Sequence, residues 1–214
     1  MKKLKMRENL NPGMLITFCG LDGCGKTTMI NRLAKEMDNV FLTKQPTNAV
    51  RNSDIFRTFM DCPDHGAYEY RSLSLLAASD RVQHVSKVIE PKLAGGCNVI
   101  SDRYFYSCIA NLNARGFEND QWIYEIAESM IKPDIAFFFD VPVDVAVSRV
   151  RSRPEESARF IDMELQYRLR KQYIELCELN GGILVSTEGS LNETFSRVIS
   201  EVNRVQERRN KYGR

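Results

Sequence analysis

The residues Gly20-Leu21-Asp22-Gly23-Cys24-Gly25-Lys26-Thr27-Thr28 fit the spacing G-x-x-x-x-G-K-[ST], directly after the apolar run Leu15-Ile16-Thr17-Phe18-Cys19. Glycines at these positions let the backbone curl so that successive N–H groups face one anion. The helix starting near Lys26 adds the positive end of its dipole. In such a loop the lysine, Lys26, reaches the β- and γ-phosphates of a nucleoside triphosphate, and the hydroxyl of Thr27 binds Mg²⁺. A chance glycine-rich turn would not be framed by a strand and a helix-forming run. Asp22 is out of place in a simple phosphate cradle, because its charge repels phosphate. It reads as facing a hydroxyl of a second ligand.

Two further groups could act on the same phosphates. The apolar stretch Val99-Ile100-Ser101 delivers Asp102 and Arg103 to its carboxyl end, followed by Tyr104. Ligands collect at that edge of an open α/β sheet, where Asp102 can hold Mg²⁺ or its water and Arg103 can grip a phosphate with its planar fork. Arg149, Arg151, Arg153 and Arg159 surround a segment with proline, serine and two glutamates but no apolar periodicity, which reads as a mobile surface loop. An arginine-bearing lid at about 152–160 would neutralise developing phosphoryl charge and keep water out. For Arg151 a solvated helix end is the competing reading. Arg81, in Ser79-Asp80-Arg81, is either a second-substrate contact or a surface residue paired with Asp80.

The elements that must position these residues alternate short apolar runs with long amphipathic ones, the pattern of a parallel sheet covered on both faces by helices. The pattern predicts strands at 15–19, 40–43, 98–101, 135–139 and 183–185. It predicts helices at 26–37, 54–60, 68–93, 107–115, 119–131, 143–151, 160–179 and 191–207. Among the prolines, Pro91 alone intrudes into a predicted helix.

With 214 residues and 43% apolar content, the chain has material for a single α/β domain, 1–214. Thirty basic against 28 acidic residues leave no strong basic field, so small anionic ligands are expected rather than a nucleic-acid polymer. Six cysteines without a C-x-x-C pair, and only two histidines, predict free thiols and a cytoplasmic setting with no metal cluster. The basic segment 1–11 has no apolar stretch after it, so neither a signal peptide nor a membrane anchor is expected. Arg208, Arg209, Lys211 and Arg214 read as a solvated, fraying helix end.

The phosphate loop, Leu75-Leu76-Ala77-Ala78-Ser79-Asp80-Arg81, Asp102-Arg103-Tyr104 with Ser107, Lys132-Pro133-Asp134 and Phe139-Asp140-Val141-Pro142 together resemble thymidylate kinase, from about residue 13 to about 202. The resemblance implies a three-layer P-loop NTPase fold with a five-stranded parallel sheet, helices on both faces and a short lid. It implies transfer of the γ-phosphate of ATP to dTMP with Mg²⁺, and a homodimer. It further implies Asp22 at the sugar 3′-hydroxyl, Arg57 and Arg103 at the acceptor phosphate, Arg81 at the base and Ser107 lining the base pocket. One branch of the family carries an arginine inside the loop and the other supplies it from the lid. Gly23 at the loop position points to the lid branch, with Arg153 as the transition-state arginine and Arg149 and Arg159 in support.

The departures cluster at the nucleoside. Ala77 stands where a phenylalanine usually stacks on thymine, Asn111 where a tyrosine crowds the sugar 2′ position, Gln45 where a glutamate precedes proline, and Leu112 where a polar base contact is common. Phe105 or Tyr106 is the expected substitute ring. A kinase for a ribonucleotide or modified pyrimidine is the alternative these residues raise. From another class comes an ATP-binding regulatory protein; a GTPase switch lacks its Asn-Lys-x-Asp motif here.

Overall fold

The computed structural model describes residues 2–211. Five parallel strands, β1 (Leu15–Gly20), β2 (Val40–Lys44), β3 (Asn98–Asp102), β4 (Ile135–Asp140) and β5 (Ile183–Ser186), form one sheet in the order β2-β3-β1-β4-β5. This is the expected α/β architecture. All six residues of β1 are buried, as suits a central strand covered on both faces. From central β1 the chain runs out to β2 and back to β3 on one side, then crosses over β1 to β4 and β5 on the other, so the order reverses at β1. The crevice at their carboxyl ends is where such sheets bind ligands.

Helices α1 (Lys26–Glu36), α2 (Asn48–Arg51), α3 (Asp54–Asp61), α4 (Tyr70–His84), α5 (Glu90–Ala94), α6 (Tyr106–Asn113), α7 (Trp122–Ala127), α8 (Val143–Arg151), α9 (Met163–Asn180) and α10 (Leu191–Lys211) flank the sheet. The predicted helix 68–93 is not uniform: a π-helical turn, Val85–Ile89, joins α4 to α5. The wider turn accommodates Pro91, which lacks an N–H and would crowd the preceding carbonyls of a regular helix. α9 starts at Met163 rather than Phe160 because Asp162 caps it, accepting from the Leu165 amide at 3.0 Å. The sequence reading missed α2, a single turn without periodicity.

The end of the sheet away from the crevice is fixed by Asp134, just before β4. Its carboxylate accepts from the Leu15 amide at 2.8 Å and from Asn9 at 2.6 Å, and it pairs with Arg209. Arg209, 8% exposed, also donates to the carbonyls of Asn11, Pro12 and Gly13. The expectation of a fraying basic end therefore fails at Arg209, which fastens α10 to the start of β1. Arg214 lies outside the described residues. Among the described residues no helix is long and apolar enough to cross a membrane, and all six cysteines are free thiols.

Behind the crevice, His84 is buried between Thr43, with Nε2 at 3.0 Å from Oγ1, and Gln45, with Nδ1 at 3.1 Å from Nε2. Burial lowers its pKa, with Asp80 opposing. The unfolded chain thus binds more protons than the fold below about pH 6.5, and stability present above that pH drains away as pH falls. Thermal melts at about pH 7.5 and about pH 5.5 should show a smaller acid loss for His84→Gln than for the parent protein. Equal losses would remove His84 from the account.

Candidate active site

The phosphate loop leaves β1 at Gly20 (φ 138°) and enters α1 through Gly25 (φ 91°). Gly23 has φ 82°, and a β-carbon there would lie 2.1 Å from the carbonyl oxygen of Ala146 on α8. No side chain fits at this position, least of all an arginine, so a cation for the transferring phosphoryl group has to come from elsewhere. Lys26 is buried, its Nζ donating to the carbonyls of Gly20 at 3.1 Å and Leu21 at 2.6 Å. Thr27 and Thr28 stand exposed at the start of α1.

One cavity of about 680 Å³ opens from this loop. Its walls hold Gly20, Leu21, Asp22, Gly23, Gly25, Lys26, Thr27 and Thr28, then Asp102, Arg103 and Ser107, and further along Arg57, Arg81, Ala77 and Asn111. Cys24 is buried and takes no part in the lining. Arg103 sits past the end of β3 in the left-handed region, φ 68°, with its carbonyl held by Ser101 Oγ at 2.7 Å. That conformation costs an arginine about 1 kcal/mol or more, and such strain concentrates where a side chain must be aimed. Its fork donates to the Gly20 carbonyl at 3.1 Å, to the Tyr173 hydroxyl at 2.9 Å and to Asp22. Desolvation inside the cleft would raise the Asp22 pKa, but Arg103, Lys26 and Arg159 together hold it far below the ordinary carboxylate range. Asp22 is therefore an anion at every physiological pH, a hydrogen-bond acceptor and never a titrating acid.

Beside Arg103 lie two cations that the sequence reading missed, Lys44 at the end of β2 and Arg51 on α2, both lining the cavity. Burial lowers the pKa of each; repulsion from Arg51 adds to it at Lys44, and repulsion from Arg103 adds to it at Arg51. Lys44 is 3.6 Å from Asp102 Oδ2, while Arg51 Nε donates to the Pro46 carbonyl at 2.8 Å. Three cations crowded at one spot are a site that a phosphate dianion would relieve. Lys44 could have been found from its place at the carboxyl end of a strand; Arg51 carries no such signal. Arg57, the residue expected there, touches the same cavity but is 61% exposed at its side chain and paired with Asp61 at 2.6 Å.

The arginines at the end of α8 and just after it divide. Arg153 and Arg159 line the cavity, with Pro154–Glu156 forming a short 3-10 turn between them. Arg159 donates to Asp22 at 3.3 Å and to Glu156 at 3.0 Å, whereas the Arg153 guanidinium meets no acceptor among the described residues. Arg149 and Arg151 do not join them. Arg149 donates to the Thr187 hydroxyl at 3.2 Å and carbonyl at 3.0 Å, beside Gly25 of the phosphate loop, and does not line the cavity. Arg151 is exposed beside a separate shallow depression with Asp144 and Met163.

At the far end, Arg81 is not paired with Asp80, whose carboxylate instead binds Thr47. Arg81 is 3% exposed, donates to the Ala77 carbonyl at 2.9 Å, and keeps a buried Nε without a partner. Phe105 and Tyr106 do not supply a ring for the cavity; both are buried in the core, Tyr106 against Phe138 at 5.2 Å. The aromatic walls are Phe56, Phe59, Tyr70, Phe160 and Tyr173.

A divalent cation has a place here. Asp102 Oδ1 is buried without a hydrogen-bond partner, and the Thr27 hydroxyl lines the same cavity. Mg²⁺ retains several waters and takes one or two protein oxygens plus phosphate, so this sparse donor set suits it. Among the described residues there is no cluster of three or more His, Cys, Asp or Glu side chains fit for a dedicated metal site.

The thymidylate kinase family model matches residues 18–198. The probable thymidylate kinase of Thermococcus kodakarensis is 38% identical over 175 residues, covering 78% of this chain and 85% of that protein. The thymidylate kinase of Geotalea daltonii is 31% identical over 201 residues, 87% of this chain and 94% of the other. The fold matches the solved thymidylate kinase of Candida albicans with a TM-score of 0.74 at 21% identity, covering 90% of this chain and 93% of that one. A glycine-rich loop that opens onto one cavity beside Asp22 and Arg103 is thus found in a chain that belongs to the thymidylate kinase family of ATP-dependent nucleoside monophosphate kinases.

Proposed function

We propose that this protein transfers the γ-phosphate of ATP to dTMP, giving ADP and dTDP. The observation that carries this reading is the single cavity running from the phosphate loop, past Arg103 and Asp22, to the pocket around Arg81 and Ala77. It has room for a donor triphosphate and an acceptor nucleotide end to end. An oxygen of the acceptor 5′-phosphate attacks the γ-phosphorus, and the bond to the β–γ bridging oxygen breaks, its electrons leaving with ADP. No covalent enzyme intermediate is needed.

Lys26 and the loop amides hold the donor phosphates. Arg103 holds the acceptor phosphate with Lys44 and Arg51, Arg57 lying farther out. Asp22 accepts a hydrogen bond from the sugar 3′-hydroxyl, Ser107 lines the base pocket and Arg81 reads the base. Arg153 is the transition-state arginine, supported by its lack of a resting partner and by the bar to an arginine at position 23. Arg159, bridging Asp22 and Glu156, draws the lid onto the cavity. Thr27 and Asp102 would hold Mg²⁺, which would neutralise charge on the donor phosphates. The chain acts as one domain, consistent with a core that runs from Leu4 to Val202. Leu75 and Leu76, 49% and 39% exposed on α4, offer apolar surface for a homodimer, and the free thiols suit a cytoplasmic enzyme.

Ala77 and Asn111 both line the cavity, which favours keeping a second reading, a kinase for another nucleoside monophosphate. ATP consumption measured with a panel of monophosphates separates the possibilities. Strong stimulation by dTMP above the rest is the expected result. Equal turnover of all acceptors would favour the second reading, and hydrolysis indifferent to acceptor would indicate a regulatory ATPase.

A further inference from the structure

The base end of the cavity has a second arginine, Arg115, just past the end of α6. Its terminal nitrogen donates to Asn111 twice, to the main-chain carbonyl at 3.2 Å and to Oδ1 at 3.0 Å. Asn111 is itself oriented, its Nδ2 donating to the Ser107 carbonyl at 2.9 Å. The guanidinium carbon sits 4.1 Å from the centre of the Tyr70 ring, so the ring's electron-rich face stands in for a counter-ion. Among the described residues no carboxylate pairs with Arg115, and its Nε and second terminal nitrogen meet no acceptor. An arginine fixed in place with donors to spare is organised to bind something else.

These contacts join the two ends of the acceptor site. Arg103 donates to the Tyr173 hydroxyl at 2.9 Å, and that hydroxyl donates to Ser107 Oγ at 3.1 Å. Ser107 in turn carries Asn111, and Asn111 carries Arg115. Arg81 ends in the same region with its Nε buried and unpaired. The base pocket therefore offers guanidinium donors from two helical segments. Carbonyl oxygens on a base complement such groups, while an exocyclic amino group meets donor against donor.

We propose that Arg115, anchored by Asn111 across the Tyr70 ring, is a base-reading residue that favours 4-keto over 4-amino pyrimidine monophosphates. Asn111 is a positioning residue that acts through Arg115. The proposal rests on the acceptor-binding reading of the cavity.

The test assays the full chain with ATP and dTMP, dUMP or dCMP. For Arg115→Ala, the KM for dTMP and dUMP is expected to rise about tenfold relative to any change in kcat, with the dCMP KM within about twofold. The keto preference then narrows by about tenfold. Arg115→Lys recovers part of it, since the charge is kept and the fork lost. Asn111→Ala moves the preference the same way by less, and adding it to Arg115→Ala changes nothing more. Equal effects of Arg115→Ala on all three acceptors, or an effect confined to kcat, would overturn the proposal. Should Arg115→Ala melt below the assay temperature, Arg115→Lys decides alone, an unchanged preference counting against the proposal. A parent protein that no monophosphate stimulates would overturn the kinase reading and this inference with it; an active parent with an indifferent Arg115→Ala overturns the inference alone.

Discussion

Lys26→Ala is expected to lower kcat by about 10³-fold or more while leaving the thermal midpoint within a few degrees of the parent's. In the resting protein the ammonium is buried on two loop carbonyls, Gly20 at 3.1 Å and Leu21 at 2.6 Å. A triphosphate exchanges those neutral acceptors for charged ones, and the interaction strengthens as charge builds on the β-phosphate during bond cleavage. The loss should therefore appear in kcat more than in the KM for dTMP. The loop itself survives the substitution, because Arg103 also donates to the Gly20 carbonyl, at 3.1 Å, and the positive φ angles belong to glycines. Steady-state kinetics paired with melts separate the two effects. A near-normal rate from a folded Lys26→Ala protein would mean that the donor phosphates bind elsewhere.

The phosphate loop was legible in the sequence because its function is local: residues adjacent in the chain make one cradle. The strands were legible for a related reason. A short buried run bounded by polar or glycine residues has few other uses, and each observed strand agrees with the pattern to within one residue at either end. Helix ends were read less well where tertiary contacts set them. α7 covers only Trp122–Ala127 of the predicted 119–131, with Asp120 before it tied to Arg71 and to the Trp122 indole nitrogen at 3.1 Å. The charges around the acceptor phosphate were least legible. Lys44 and Arg51 come from separate elements and meet only through the sheet order and the turn at Pro46. Arginine spacing around the end of α8 likewise could not tell Arg153 and Arg159, which line the cavity, from Arg149 and Arg151, which do not. One sequence inference gained a physical cause. The missing loop arginine at Gly23 reflects the approach of the Ala146 carbonyl, which excludes any side chain.

Arg103→Ala is expected to lower kcat/KM for dTMP by about 10³-fold, with stability little changed. The side chain does three things at once: it donates to the Gly20 carbonyl, to Tyr173 and to Asp22, tying the donor loop to the acceptor pocket. Desolvation works against its charge, but Tyr173, Asp22 and Asp102 outweigh it, so the guanidinium stays protonated throughout. Without it Asp22 loses its strongest partner, and both acceptor phosphate and sugar lose alignment. Lysine at 103 should restore little, because a point charge cannot reach three acceptors that a planar fork spans. The backbone supplies the control. Position 103 is left-handed, φ 68°, so Arg103→Gly relieves strain that alanine retains. The glycine variant should then melt higher than the alanine variant, by about 1 kcal/mol in stability, and be as inactive. If activity followed stability across the pair, Arg103 would be holding the fold rather than the phosphate. If both kept a near-normal rate, the acceptor phosphate would have to be placed on Lys44 and Arg51 alone.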